Sequence, residues 1–209
     1  MAEFLFDETT HTYTLDGVVI PSVTEICAPI TCGKYPPVGV VQQAAARGTR
    51  VHELCALYDM DALPDEIEAG LVGYVKAWAA FCRDYKPVWT HIESPLYGEI
   101  DSGQPFAGTL DRIGKIDGLT RIVDIKTTAS LDRPAKVALC TQIGGYEWLS
   151  GLNDIDVSYG AGMGVQLFAD GNYRVHLTDA IERKYGLGST SLFHLFHELR
   201  KLHKITKGK

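Results

Sequence analysis

The sequence predicts an α/β domain built on a central mixed β-sheet flanked by helices, with an N-terminal β-hairpin and helical segment ahead of it. Helical periodicity dominates as far as about Tyr85 and returns after Pro134. Between Val88 and Thr127, apolar segments separated by short turns read as consecutive strands, and a later strand pair is followed by helix again. That order places helices on both faces of one sheet. At 209 residues the chain suffices for one such domain with its own core, and 1–209 is read as a single domain.

Phe4 to Ile20 alternates apolar and polar residues around Asp16-Gly17, the pattern of a hairpin. Pro21-Ser22-Val23-Thr24-Glu25-Ile26 opens a helix, with Ser22 as N-cap and Glu25 closing a capping box. A Pro/Gly-rich loop follows from Pro29 to Gly39. Val40 to Met60 is Ala-rich helix, and Pro64-Asp65-Glu66 is expected to open a second helix running to about Tyr85. Val88–Tyr97, Phe106–Lys115 and Arg121–Thr127 read as strands, joined by turns at Asp101-Ser102-Gly103 and Asp117-Gly118. Pro134–Leu149 is helical. Val157–Phe168 and Tyr173–Leu177 form a strand pair around Asp170-Gly171-Asn172, and Ala180–His203 closes as a helix that Gly186 and Gly188 are placed to interrupt.

Hydrophobic residues make up 45% and charged residues 22%, a globular rather than disordered composition. No apolar run approaches the roughly 18 residues of a membrane span. The acidic start, Met1-Ala2-Glu3-Phe4-Leu5-Phe6-Asp7-Glu8, lacks the basic opening of a signal peptide, so a cytoplasmic protein is expected. Five scattered cysteines without a C-x-x-C pair point to reduced, mostly buried thiols. A net charge of −6 argues against nucleic-acid binding, since phosphate contacts need basic surface, although metal-binding carboxylates contribute to it and a local basic stripe can coexist with it. Arg200 to Lys209 is one basic cluster. Arg47, Arg50, Arg112, Lys115, Arg121, Arg133 and Lys136 flank the segments described next, and solvated surface charge is the ordinary reading of any one of them.

Val123-Asp124-Ile125-Lys126-Thr127-Thr128 carries the strongest chemical signal. An acid and a lysine two apart on a strand share a face and can hold a cation and a water together. Alone, a D-x-K is common and describes many surface ion pairs. Asp111 lies in the preceding strand, Ala107-Gly108-Thr109-Leu110-Asp111-Arg112-Ile113, and a hairpin through Asp117-Gly118 brings it beside Asp124. Adjacent carboxylates repel unless a cation lies between them, which favours a divalent metal. Glu93, with Glu99 as its competitor, is a candidate third acid. On the first long helix Gly48 and His52 share a face, so the glycine is expected to admit another backbone beside the imidazole. Gln142 and Tyr146 form a second same-face pair on the helix after the D-x-K strand.

In order, these are G-x-x-x-H on a helix, E, G-T-L-D-R-I, V-D-I-K-T, then Q-x-x-x-Y on a helix. The series resembles the RecB-like branch of the PD-(D/E)XK nuclease superfamily, with its restriction-endonuclease-like core. The Pro21-Ser22-Val23-Thr24 segment narrows the likeness to phage-encoded and mitochondrial genome maintenance exonucleases, and the resemblance spans about Ile20 to Tyr146.

The resemblance implies a magnesium- or manganese-dependent DNA exonuclease serving phage-type DNA processing, recombination or repair. It makes Asp111 and Asp124 the main metal ligands, with His52 and the Ile125 carbonyl completing the site. Lys126 orients the attacking water, Glu93 positions the water or a second metal, and Gln142 and Tyr146 contact the DNA backbone or brace the lysine. Arg47, Arg50, Arg112, Thr127, Thr128 and Lys136 are the candidate nucleic-acid contacts. Single- or double-stranded DNA ends are the expected partner, alongside a single-strand annealing or binding protein. No cysteine follows Cys140, so the iron–sulfur cluster of some RecB-like nucleases is not expected. A nuclease fold that binds nucleic acid without cutting it, and an endonuclease of the same superfamily, are the competing readings.

Overall fold

A computed structural model of the chain describes residues 2–31, 38–100, 104–187 and 189–207. Cys32, most of the Pro29–Gly39 loop, the Asp101-Ser102-Gly103 turn and Gly188 lie outside them. Asp16 and Gly17 take left-handed backbone, φ 50° and 76°, which makes the tight turn read from the sequence. The N-terminal unit is nevertheless larger than a hairpin. β1 (Phe4–Asp7), β2 (Thr12–Leu15) and β3 (Val18–Ile20) form a three-stranded antiparallel sheet, because a second turn with His11 at φ 50° splits the first arm.

Ser22 caps α1 (Val23–Cys27) with the expected capping box: its hydroxyl accepts from the Glu25 N–H while Glu25 accepts from the Ser22 N–H. A 3-10 turn over Ala28–Thr31 follows. α2 spans Val38–Asp59, and α3 spans Val72–Tyr85 rather than starting near Pro64. Gly70, a poor helix former, precedes the true start, while Leu63 and Ile67 use the connector to pack on the core.

β4 (Val88–Glu99), β5 (Pro105–Ile116), β6 (Leu119–Lys126), β7 (Met163–Leu167) and β8 (Tyr173–Leu177) form the main sheet in chain order. α4 (Arg133–Leu152) carries the chain from β6 to β7, and those two strands are parallel. All other neighbours are antiparallel, so the sheet is mixed, as expected. β7 starts at Met163 instead of Val157 because Gly160, at φ 70°, still belongs to a turn. The last expected helix divides at Gly186 (φ 68°) into α5 (Thr178–Tyr185) and α6 (Ser189–Lys207).

Each face of the sheet has its own core. Val51, Leu54, Trp78 and Phe81 of α2 and α3 cover Val123, Ile125 and Val165 on one side. Ile26, Leu139, Ile143 and Phe196 of α1, α4 and α6 cover Leu110, Ile113 and Ile122 on the other. Cys27, Cys55 and Cys140 are buried free thiols, and Cys82 is half-buried and free. Among the described residues, no helix is long and apolar enough to cross a membrane.

The sheet also contains a fork. β5 pairs with β4 as far as Pro105, but with β6 only from Arg112↔Val123 to Ile116↔Leu119. Beyond that rung β5 and β6 part, and the first residues past it are Asp111 and Asp124.

Candidate functional site

The fork opens into a cavity of about 900 Å³. Its floor includes Asp111, Asp124 and Lys126; one wall is the α2 face bearing Gly48 and His52. Another wall is the N-terminal unit, which presents Phe6 and Tyr13 from its strands and His11 from the turn between β1 and β2. The parallel bridge Ser22↔Ala107 and the 2.9 Å hydrogen bond between the Tyr13 and Thr109 hydroxyls hold that wall to β5.

His52 projects from α2 to meet the middle of β4 and β5 and the end of β6. Its Nε2–H faces the Ile125 carbonyl at 3.2 Å, while Nδ1 lies 3.3 Å from Asp111 Oδ1 and 3.8 Å from Glu93 Oε1. Burial disfavours the imidazolium, but Asp111 and then Glu93 outweigh it and raise its pKa to about 9. Burial likewise opposes ionisation of Asp111, yet His52, Lys126 and the Ile125 N–H hold its carboxyl below the usual range. That N–H donates to Asp111 Oδ2 at 2.6 Å, so the carboxylate satisfies a backbone donor freed by the fork. Glu93 shifts upward through burial and the nearby Asp111.

The D-x-K pair faces the opposite layer. Lys126 Nζ lies 2.8 Å from Asp124 Oδ2 and donates to Gln142 Oε1 at 3.1 Å. Gln142 Nε2 donates in turn to the Tyr146 hydroxyl at 3.0 Å. Burial pushes the Asp124 carboxyl up, with Asp111 adding to it and Lys126 opposing. Burial opposes the Lys126 ammonium, but Asp124 and Asp111 keep its pKa raised. Gly108 is required here: a Cβ would stand 2.7 Å from the Tyr146 ring.

The candidates thus fall into two adjoining groups. His52, Glu93 and Asp111 each offer one donor atom within 4.8 Å of the others, whereas Asp124 joins Lys126, Gln142 and Tyr146. One imidazole nitrogen and two carboxylate oxygens suit a hard divalent cation such as magnesium or manganese. Of the competing acids, Glu93 reaches the cavity; Glu99 lies at the far end of β4, opposite Pro105. Glu93 adopts φ 44°, a left-handed conformation that costs a non-glycine residue about 1–2 kcal/mol.

Arg47, Arg50, Thr127 and Thr128 line the cavity. Arg50 is already paired with Glu53 at 2.6 Å. Lys136 lies outside it, near Arg174 and His176, where burial first and these two cations next lower the His176 pKa. Arg112 is not a surface contact. It is fully buried, because its guanidinium is taken up by Asp59 at 2.7 Å and Glu93 at 2.8 Å and lies 5.4 Å from the Trp78 ring. Arg200, read as part of a basic cluster, is also buried and donates to Gln104. Gly48 admits no backbone: a Cβ there would meet Thr127 Oγ1 at an ordinary 3.7 Å. Two features escaped the sequence reading, namely the aromatic wall of the N-terminal sheet and Asp59. The signal for Asp59 was its seven-residue spacing from His52, two turns along one helix face.

No family model and no curated protein matches the chain. Among solved structures, one described as "Crystal structure of SSO0001" aligns at 14% identity over 86% of this chain and 84% of that one, with a TM-score of 0.38. A likeness at that level carries no functional inference.

Proposed function

We propose that this protein is a metal-dependent DNA nuclease acting from strand ends. The observation that carries this reading is the convergence of His52, Glu93 and Asp111 beside an Asp124–Lys126 ion pair in one cavity. His52 Nδ1, Glu93 and Asp111 would hold a magnesium or manganese ion, with Asp124 nearby; the Ile125 carbonyl, read from the sequence as a ligand, instead accepts the His52 Nε2–H on the far side of the ring and orients the imidazole. When bound, the ion supplies charge neutralisation at the scissile phosphate and acidifies water. Lys126, fixed by Asp124 and Gln142, donates to the attacking water and to the charge that develops on phosphate oxygen. Tyr146 sets the orientation of the Gln142 amide and thereby of the ammonium. Arg47, Thr127 and Thr128 are placed to contact the phosphates of the bound strand.

The test is cleavage of end-labelled linear and of circular DNA, single- and double-stranded, with magnesium, manganese or EDTA. Wild type should shorten linear DNA only with metal and leave circles intact. Lys126→Ala should lower kcat by about 100- to 1000-fold, the loss of one pre-organised donor, while DNA binding persists. Cleavage of circles would make the enzyme an endonuclease. DNA binding without cleavage under any condition would leave a non-catalytic module.

A further inference from the structure

Asp59 and Arg112 do not line the cavity, yet they form a buried path into it. The Arg112 guanidinium gives Nε to Asp59 Oδ2 at 2.7 Å and one terminal nitrogen to Glu93 Oε1 at 2.8 Å, and it lies 5.4 Å from the Trp78 ring. The other Asp59 oxygen accepts the Trp78 indole N–H at 3.0 Å and faces the Cys82 thiol at 3.7 Å. Both Asp59 oxygens are therefore engaged, and the planar guanidinium is held at its edge and across its face. At the far end it grips Glu93, whose left-handed backbone would otherwise be free to relax.

We infer that Asp59 is a positioning residue: acting through Arg112, it fixes the Glu93 carboxylate as a donor to the divalent cation. This rests on the function proposed above. The Arg112 bond is made to Oε1, the same oxygen that lies 3.8 Å from His52 Nδ1, and it leaves that oxygen a second lone pair for the ion. It also offsets part of the negative charge of Glu93 and Asp111, which lets the two carboxylates lie close before a cation arrives. Fold stability does not account for the arrangement, since a buried ion pair is commonly matched by apolar residues of the same volume. Partners that orient a ligand in this way typically change metal affinity by about 10- to 100-fold when removed.

The experiment is calorimetric titration of the DNA-free protein with manganese, in a double-mutant cycle of Asp59→Asn and Glu93→Gln. Asp59→Asn retains an acceptor for Trp78 but removes the charge that anchors Arg112, and it should weaken manganese binding about tenfold. In the Glu93→Gln background the same change should alter affinity by less than about twofold, because the path no longer ends on a ligand. Equal losses in both backgrounds, or no loss in the first, would overturn the inference. A folded wild type that binds no manganese would overturn the metal-dependent function and this inference together. Unaltered binding by Asp59→Asn would overturn the inference alone. Should Asp59→Asn not fold, Trp78→Phe removes the indole donor to Asp59 and part of the ring surface under Arg112, a packing loss that both Glu93 backgrounds share. It should weaken manganese binding about threefold where Glu93 is intact and leave it unchanged in the Glu93→Gln background.

Discussion

Cation binding at this centre should compete with a proton on His52. Nδ1 faces Asp111 and Glu93 and can ligate only when unprotonated, while the two carboxylates raise the imidazole pKa to about 9. Below that value apparent affinity should rise about tenfold per pH unit, hence about 100-fold between pH 6.5 and 8.5. An imidazole with the ordinary pKa would change affinity only about twofold over the same window. A quarter of the His52 side chain is exposed and water screens part of the attraction. Even a pKa of about 8 leaves the change above tenfold. Calorimetry with magnesium or manganese, in two buffers of different ionisation enthalpy, measures both the affinity and about one proton released per ion near pH 7.5. A twofold change with no proton release would refute Nδ1 as the ligand. His52→Gln should flatten the slope while weakening binding.

Two further perturbations probe the buried charges. Arg112→Met leaves Asp59 uncompensated in the core and should destabilise the fold by about 3–5 kcal/mol in urea melts. A DNA contact would instead change the salt dependence of binding and spare stability, which is the result that would restore Arg112 as a surface residue. Glu147 of α4 is buried near Glu182 and accepts the Gly160 N–H, and burial first, then Glu182, raise its pKa from 4.5 to about 7. A carboxyl raised in the folded state contributes stability that is complete below the unfolded value and is lost as pH rises through the folded one. By pH 8 wild type should therefore have lost about 3 kcal/mol relative to pH 4.5 that Glu147→Gln retains. Parallel stability curves for the two proteins would contradict this assignment.

Much of this arrangement was legible because local signals agreed with the fold. The capping box at Ser22, the turns at Asp16-Gly17 and Asp117-Gly118, and the alternation in β5 and β6 each depend on neighbours in sequence. The placement of Asp111 beside Asp124 followed from that hairpin register. Arg112 was not legible, since its burial is decided by Asp59 and Trp78, which reach it from separate helices. The Glu93 or Glu99 choice required the β4–β5 register and its irregularity between Trp89 and His91. The start of α3 was missed because Pro64-Asp65-Glu66 is a sound helix opening in isolation, yet Leu63 and Ile67 gain more from packing as a connector.

The fork between β5 and β6 has a mechanical side. One more rung past Arg112↔Val123 would make Asp111 and Asp124 direct cross-strand partners, their Cβ atoms about 5 Å apart. Two like charges at that spacing push against the closing of the ladder, and Asp111 caps the open end by taking the Ile125 N–H. The pair therefore works as a wedge. Asp111 is held by His52 and Asp124 by Lys126, and closing the ladder would disturb both pairings, which keeps the sheet from zipping shut over the place where the proposed cation would sit. Neutralising both acids should consequently do more than remove two ligands: it would let the strands close and take the cleft with them.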